Sequence, residues 1–450
     1  MKKLILIATA ALACACANSN EATWTDLFNG QDLSGWKQVT GLAEYKVEEG
    51  CIVGTCVKTG GINSFLATEK DYSDFIIEYE FLLDSTMNSG VQFRSRVNPG
   101  TGKMTGYQCE ADPSDRAWSA GIYDEARRGW LYPLTFNQEG RKAYRKNEWN
   151  KGRIEAIGSH IRTYLNGVLC SDLIDDMDAD GQIGLQVHAT NLEERIGSQV
   201  RWKNIRICTA NPEKHTLKPS NEAFQINSIS NTLSEKQKSE GWKLLWDGKT
   251  TEGWRSAKAE SFPDRGWSIA DGELIVAEND GTESTNGGDI ITTEKYKDFW
   301  LSVEFKITTG ANSGIKYFVN PELYKSTGSA IGCEYQILDD KVHPDAQLGV
   351  AGNRTLGSLY DLIRADKDEA RFRYGQWNTA WIKVQGTHVE HWLNGVKILE
   401  YERNNQMFNA LVAYSKYKNW KNFGNHETGH ILLQDHGNEV HFKSIMIKEL

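Results

Sequence analysis

An internal duplication limits this chain more than any other feature, because whatever it folds into must be buildable twice. Trp24, Leu27, Phe28, Asn29, Gly30 and then Gly35, Trp36, Lys37 are answered, at the same internal spacing, by Trp242, Leu245, Trp246, Asp247, Gly248 and then Gly253, Trp254, Arg255. Tyr72, Asp74 and Phe75 return as Tyr296, Asp298 and Phe299, and Asn88, Ser89, Gly90 as Asn312, Ser313, Gly314. Leu165, Asn166, Gly167, Val168 returns as Leu393, Asn394, Gly395, Val396. The offset between matched landmarks grows from 218 at Trp36 and Trp254 to 248 at Leu185 and Leu433, with the largest step after the Asn-Gly pairs. The second copy therefore carries an insertion of about 20 residues, placed within Tyr401 to Glu427, as loops lengthen between matching strands. A length of 450 residues accommodates two domains, since single cores rarely grow past about 250 residues. Copy one is expected over residues 22–208 and copy two over 241–450. Between them Thr209 to Glu240 is polar, contains Pro212 and Pro219, and reads as a linker whose end, Leu233 to Glu240, forms a short helix.

The segments alternate in period two. Phe75, Ile77, Tyr79 and Phe81 fall on one face with Glu78 and Glu80 on the other, and Trp300 to Ile307 repeats the pattern. Asn166-Gly167 and Asn394-Gly395, each between apolar alternating runs, predict type I′ hairpins. Short strands, 41 glycines and little helical periodicity predict an all-β fold. Each copy is then two antiparallel sheets packed face to face, a sandwich or jelly roll. Trp36 and Trp254 read as core residues or sheet-edge plugs.

The N-terminus has Lys2 and Lys3, an apolar run from Leu4 to Leu12, and Cys14 and Cys16 among small residues. The run is far shorter than the roughly 20 apolar residues a bilayer span needs, so residues 1–16 read as an export signal of the lipoprotein type. The expected product is exported and anchored only through a lipid on Cys16 (or Cys14), at the periplasmic or outer-membrane face. A formal charge of −9 argues against nucleic acid and favours a neutral, hydroxyl-rich ligand. Cys51, Cys56, Cys109, Cys170, Cys208 and Cys333 form no CxxC pair and no metal-ligand spacing; buried free thiols are the expectation, with a Cys51–Cys56 bridge as the alternative.

His426-Glu427-Thr428-Gly429-His430 spells the H-E-x-x-H zinc-protease pattern, which works only on a helix. Gly424 and Gly429 flank and interrupt it and Ile431, Leu432, Leu433 follow as a strand, so no helix and no such enzyme is expected, although His426, His430 and His436 could gather a metal in a loop. A better constellation comes from alternation: Glu334 and Gln336 share a face, as do Gln434 and His436. If both strands present them to one concave face, a carboxylate, an imidazole and two amides converge, which suits polyol binding with acid/base chemistry. Copy one offers Gln108, Glu110, Asp112 and His188 at the matching places, with amide and carboxylate exchanged. The bland reading is a carbohydrate-binding or merely solvated sheet. There is no G-x-S-x-G elbow, P-loop or dinucleotide fingerprint, and no motif requires a cofactor.

Phe28-Asn-Gly…Leu33-Ser-Gly-Trp36, Trp246-Asp-Gly…Gly253-Trp254, Asn312-Ser-Gly, Glu334-Tyr-Gln-Ile-Leu-Asp339, Gly357-Ser-Leu-Tyr360, Glu390-His-Trp-Leu-Asn-Gly395 and Leu433-Gln-Asp-His-Gly437 resemble the DUF1080, or 3-keto-disaccharide hydrolase, family over nearly all of copy two and most of copy one. The resemblance implies a concanavalin A-like lectin/glucanase jelly roll in each copy, often on a lipoprotein. It implies cleavage of glycosides oxidised at C3, where the ketone acidifies the C2 proton so that a base removes it, the C1 substituent leaves, and water adds afterwards. Carried onto this sequence, His436 or Glu334 is the base; Gln336, Gln434, Asn312 and Tyr360 hold hydroxyls or the enolate; Asp339 and His343 shape the rim or bind a divalent cation. In copy one Glu110 and His188 are the catalytic counterparts, with Asn88 and Gln108 as substrate ligands. Copy one lacks the His-Pro-Asp loop and has Gln186-Val-His188 for Gln-Asp-His, so it is either a second active site of altered specificity or a binding module. The alternative for the whole chain is a non-catalytic carbohydrate-binding surface lipoprotein.

Overall fold

A computed structural model describes residues 23–58, 61–323, 328–367 and 370–450. The expected export signal, with Cys14 and Cys16, lies outside the described residues. Among these residues no helix is long and apolar enough to cross a membrane.

The period-two pattern becomes strands wherever sequence alternation placed one. Each copy is a pair of stacked sheets, of nine and seven strands in copy one and eight and five in copy two. In copy two the larger sheet runs through Phe299–Ile307, flanked by Val440–Glu449 and Asn378–Gln385; the smaller runs Trp254–Ser256, Ile290–Thr292, His430–Leu433, Asn312–Val319, Cys333–Leu338. Inward residues of both sheets, such as Leu301, Val303, Phe305, Ile315, Tyr317, Tyr335 and Leu433, are fully enclosed and form one apolar core. Both Asn-Gly pairs sit at positive φ, 51° and 86° for Asn166 and Gly167 and 49° and 82° for Asn394 and Gly395, as a type I′ turn requires. Trp36 and Trp254 plug the sandwich edge in equivalent ways: each indole N–H donates to a backbone carbonyl nine residues earlier, Leu27 at 2.6 Å and Leu245 at 2.7 Å. Cys51, Cys56, Cys109, Cys170, Cys208 and Cys333 are buried free thiols, so the Cys51–Cys56 bridge does not form.

The joining segment differs from a free linker. Gln225–Asn227 adds a parallel strand to copy one beside Val168–Ile174. Glu235–Ser239 forms the expected short helix, closed by a capping box between Ser234 and Gln237. The reason this polar stretch docks is one ring: Phe224 stacks on Trp300, 4.9 Å between centroids, while Phe136 of copy one stacks on Trp392 at 4.6 Å. Together they cover tryptophans that alternation aims outward from the large sheet of copy two.

The insertion also takes a definite shape. Seven residues separate Val168–Ile174 from Gln182–Val187 in copy one, whereas 27 separate Val396–Glu402 from His430–Leu433 in copy two. The extra chain forms a helix, Gln406–Tyr414, capped by Asn405, and a 3₁₀ turn, Lys416–Asn419, and it folds over the smaller sheet.

Candidate active site

Pleating puts Asn312, Gly314 and Lys316 on the face of the smaller sheet that points away from the core of copy two, and Glu334 and Gln336 on the same face of the neighbouring strand. Register then decides the pairs. Lys316 lies directly opposite Glu334 and Gly314 opposite Gln336. The missing side chain of Gly314 is what lets Glu334 lie flat across the strand, since a Cβ there would sit 2.3 Å from Glu334 Oε1. Gln434 joins from the other neighbouring strand, its backbone N–H donating to the Gly314 carbonyl at 3.0 Å.

Asn312, Glu334, Gln336 and Gln434 line a cavity of about 300 Å³ together with Glu283, His343, Asp345, Tyr360, Lys416 and His436. The face-sharing pairs Glu334/Gln336 and Gln434/His436 therefore converge on one cavity. The Gln336 amide sits between the Asn312 amide, 3.2 Å away, and Glu334 Oε1, 3.3 Å away. Gln434 Nε2 donates to Glu283 Oε1 at 2.8 Å, leaving Gln434 Oε1 buried and without a partner among the described residues, as is His436 Nδ1. Buried polar atoms are rarely left so, and two of them aimed at one cavity are acceptor and donor positions for a polar ligand. Tyr360 donates to Asp345 Oδ2 at 2.7 Å, and Arg354 fixes the same carboxylate from 2.9 Å.

Burial raises the pKa of Glu334 above the ordinary glutamate value, against the opposing pull of Lys316, whose ammonium lies 3.7 Å away, and of Lys416 and His436. Burial also lowers the pKa of His343, helped by His436, whose ring centroid is 6.1 Å from its own. Lys416 is exposed overall, but its ammonium lies 4.2 Å above the Tyr360 ring, and desolvation there lowers its pKa.

The strand His430–Leu433 ends just before Gln434, and Asp435, between Gln434 and His436, faces the other way and braces the site. Its carboxylate accepts from the N–H groups of Gly287 at 3.0 Å, Gly288 at 2.8 Å and Gly437 at 3.0 Å, tying down the loop that carries Glu283. Asp339 is likewise committed, accepting from Gly310 and Lys341 N–H at 2.9 and 3.1 Å. Its carboxylate thus holds a turn, and neither it nor His343 belongs to a group of three possible ion ligands among the described residues. His426 sits in a loop, and His430 begins a strand with Nδ1 at 2.7 Å from the Thr292 carbonyl. The H-E-x-x-H segment is not helical, and His426, His430 and His436 do not gather. Among the described residues, the group of three that could hold an ion is His388, Glu390 and Glu400, on the other sheet.

Copy one builds the same scaffold and changes the charges. Gln92 stands opposite Gln108 and Gly90 opposite Glu110, so the Lys316–Glu334 pair becomes two amides, Gln92 Nε2 donating to Gln108 Oε1 at 3.0 Å. The carboxylate has moved one cross-strand pair along, where Glu110 accepts from Gln108 at 2.8 Å and closely from Asn88. Burial pushes its pKa up to about 7 despite those donors. Asp112 is paired with Arg116 at 2.9 Å. His188 is half-buried with Nδ1 2.8 Å from the Ala189 carbonyl, and the charge bearing on it is Arg195 rather than Glu110.

Residues missed from sequence are Lys316, Glu283 and Lys416. Lys316 was available: Asn312, Gly314 and Lys316 continue the same period-two face. Glu283 and Lys416 arrive on loops, where spacing carries no such information.

The pattern of the 3-keto-alpha-glucoside-1,2-lyase-like domain matches residues 23–208 and again 241–448. The chain belongs to that family. A 3-keto-disaccharide hydrolase from Bacteroides thetaiotaomicron is 37% identical over 232 residues, covering 47% of this chain and 79% of the relative. Among solved structures, a protein assigned as a glycosyl hydrolase from Parabacteroides distasonis is 29% identical, over 49% of this chain and 100% of that one, with a TM-score of 0.43. The carbohydrate binding module CBM66 from Bacillus subtilis is 19% identical over 38% of this chain and 94% of its own, with a TM-score of 0.28. The family match repeats with the duplication, so both copies are members.

Proposed function

We propose that this protein is a glycoside-cleaving enzyme acting on 3-keto-glycosides, with the reaction in copy two. The observation that carries the reading is Glu334: a buried carboxylate, held against one lysine, that faces a cavity lined by amides and imidazoles. A ketone at C3 makes the C2 proton removable. Glu334 takes that proton, the electron pair forms the enolate, and the enolate collapses to expel the C1 oxygen, leaving a C1–C2 double bond. Lys416, its pKa lowered by desolvation, supplies the proton to the departing oxygen. Water then adds to the unsaturated sugar. Asn312, Gln336 and Gln434 would hold hydroxyls and the enolate oxygen, and His436 the ketone or the water. The family match and the named relative support the substrate class.

Copy one carries no Lys–Glu pair at the equivalent position, and its amide ladder favours a neutral sugar-binding role there. We also propose that a lipid on Cys16 tethers the mature chain at the periplasmic or outer-membrane face; a Cys16→Ser chain that still partitions with membranes contradicts this.

The test is incubation of the purified chain with a panel of 3-keto-glycosides, with and without a chelator. Release of the aglycone with transient ultraviolet absorbance of an enone is expected, and no turnover of any member overturns the reading.

A further inference from the structure

Beside the first cavity lies a second, of about 270 Å³, and the two share Glu283 and Lys416 in their walls. Its other walls are unlike those of the first. One is the Gly328–Gly332 segment leading into the strand Cys333–Leu338, which carries Ser329 and Ile331. The other is aromatic, made by Tyr417 and Trp420 from the insertion. Lys316 also lines it, but its ammonium is already taken up by Ser329, by the Ala330 carbonyl at 3.3 Å and by Glu334, so the charges that remain to the second cavity are those at the junction, Glu283 and Lys416. Together the two spaces approach 600 Å³, within the range of about 300 to 1,000 Å³ typical of ligand sites and ample for two sugar rings.

We infer that the second cavity is the leaving-group subsite, binding the neutral sugar on the far side of the scissile bond, with Trp420 as its specificity-determining platform. This rests on the reading of the first cavity as the reacting site. Three observations converge on it. The amides and imidazoles that discriminate hydroxyls are gathered in the first cavity, whereas the second pairs a backbone edge with the indole of Trp420, over a floor of Tyr417 stacked on Phe423 at 4.0 Å, the combination that packs against the apolar face of a sugar while its hydroxyls reach water. The junction is marked by Lys416 and Glu283, so a substrate spanning both spaces carries its bridging oxygen past a proton donor. And the aromatic wall comes wholly from residues 403–429, where copy one has the short Asp175–Gly181 connection. The insertion therefore gives copy two a second subsite that the copy-one connection is too short to build.

The test compares two substrates, a 3-keto-disaccharide and the methyl glycoside of 3-keto-glucose, on the full chain and on Trp420→Ala. Loss of one stacked apolar face should lower kcat/KM for the disaccharide by about 10-fold or more, mostly through KM, and change the methyl glycoside less than about 2-fold. Ile331→Trp, which fills the same cavity, should reproduce the selective loss without removing the platform. Equal losses on both substrates, or no loss on the disaccharide in either variant, overturn the subsite. Failure of the unmodified chain to turn over the methyl glycoside and the disaccharide alike overturns the reading of the first cavity instead.

Discussion

The two copies lay the same three strands side by side, and both thread a long side chain over a glycine, Glu334 over Gly314 and Gln108 over Gly90. What differs is which side chains carry charge. In copy two the cross-strand pair is Lys316 and Glu334; in copy one it is Gln92 and Gln108, and the carboxylate reappears one pair along at Glu110. Both members of the pair change together, as burial demands: removing one partner of a buried ion pair strands the other, at a cost of about 3–5 kcal/mol, whereas replacing both leaves two amides that satisfy each other. A duplicated sheet can therefore exchange a charged pair for a neutral one while keeping the same cross-strand register.

The largest expected effect breaks that contrast directly. Glu334→Gln should lower kcat on a 3-keto-glycoside by about 10³-fold, within the range general-base removal costs, while Glu110→Gln leaves the steady-state rate within about 2-fold. Circular dichroism should find both variants folded. Lys316→Gln, which makes copy two resemble copy one, should cost about 10- to 100-fold, because charge-assisted support of the base is lost. It should also move the acid limb of the pH profile. The base works when ionised, so activity rises with pH through the raised pKa of Glu334; without the lysine that holds it down, the limb shifts to higher pH.

A structural contrast follows. Phe224→Ala uncovers Trp300 and should destabilise the chain by about 2 kcal/mol, less than a fully buried ring, since Phe224 is only part-buried. Chemical denaturation checks it, and a loss confined to copy two would show that the joining segment acts as part of that copy's core. The smallest effect concerns Glu110. Its pKa is raised from 4.5 to about 7 in the folded chain, so the native state holds a proton that the unfolded chain releases, and stability falls progressively as pH rises from about 4.5 to 7. Glu110→Gln should therefore gain stability relative to the parent at pH 8 compared with pH 5. A carboxyl carbon resonance titrating near 7 would confirm the cause.

Much of this was legible in the order of residues, for a physical reason. Pairing Trp36 with Trp254 and Asn166-Gly167 with Asn394-Gly395 exposed the two sandwiches because turns and edge plugs are local in sequence. Period two placed Glu334 beside Gln336 on the strand Cys333–Leu338, and Gln434 beside His436 in the extended chain just past the strand His430–Leu433, where both still line the same cavity. Lys316 opposite Glu334 depends on register between strands about 18 residues apart, which alternation alone does not fix. Glu283 and Lys416 come from loops, positioned by Asp435 through glycine amides and by Asp361 through the Lys416 N–H at 2.9 Å. The alternation that puts Gln434 and His436 on one face turns Asp435 to the other, but which loop its carboxylate clamps depends on glycines some 147 residues upstream. The joining segment read as a linker because its polarity hides Phe224, whose partners lie on a sheet more than 70 residues downstream.

Whether Glu334 of copy two removes the C2 proton can be measured by following exchange at C2 of a 3-keto-glucoside in deuterated water by proton NMR. The C2 resonance should disappear with the parent chain and with Glu110→Gln, and persist with Glu334→Gln. Exchange that continues in Glu334→Gln, or that stops in Glu110→Gln, would contradict the assignment of the chemistry to the second copy.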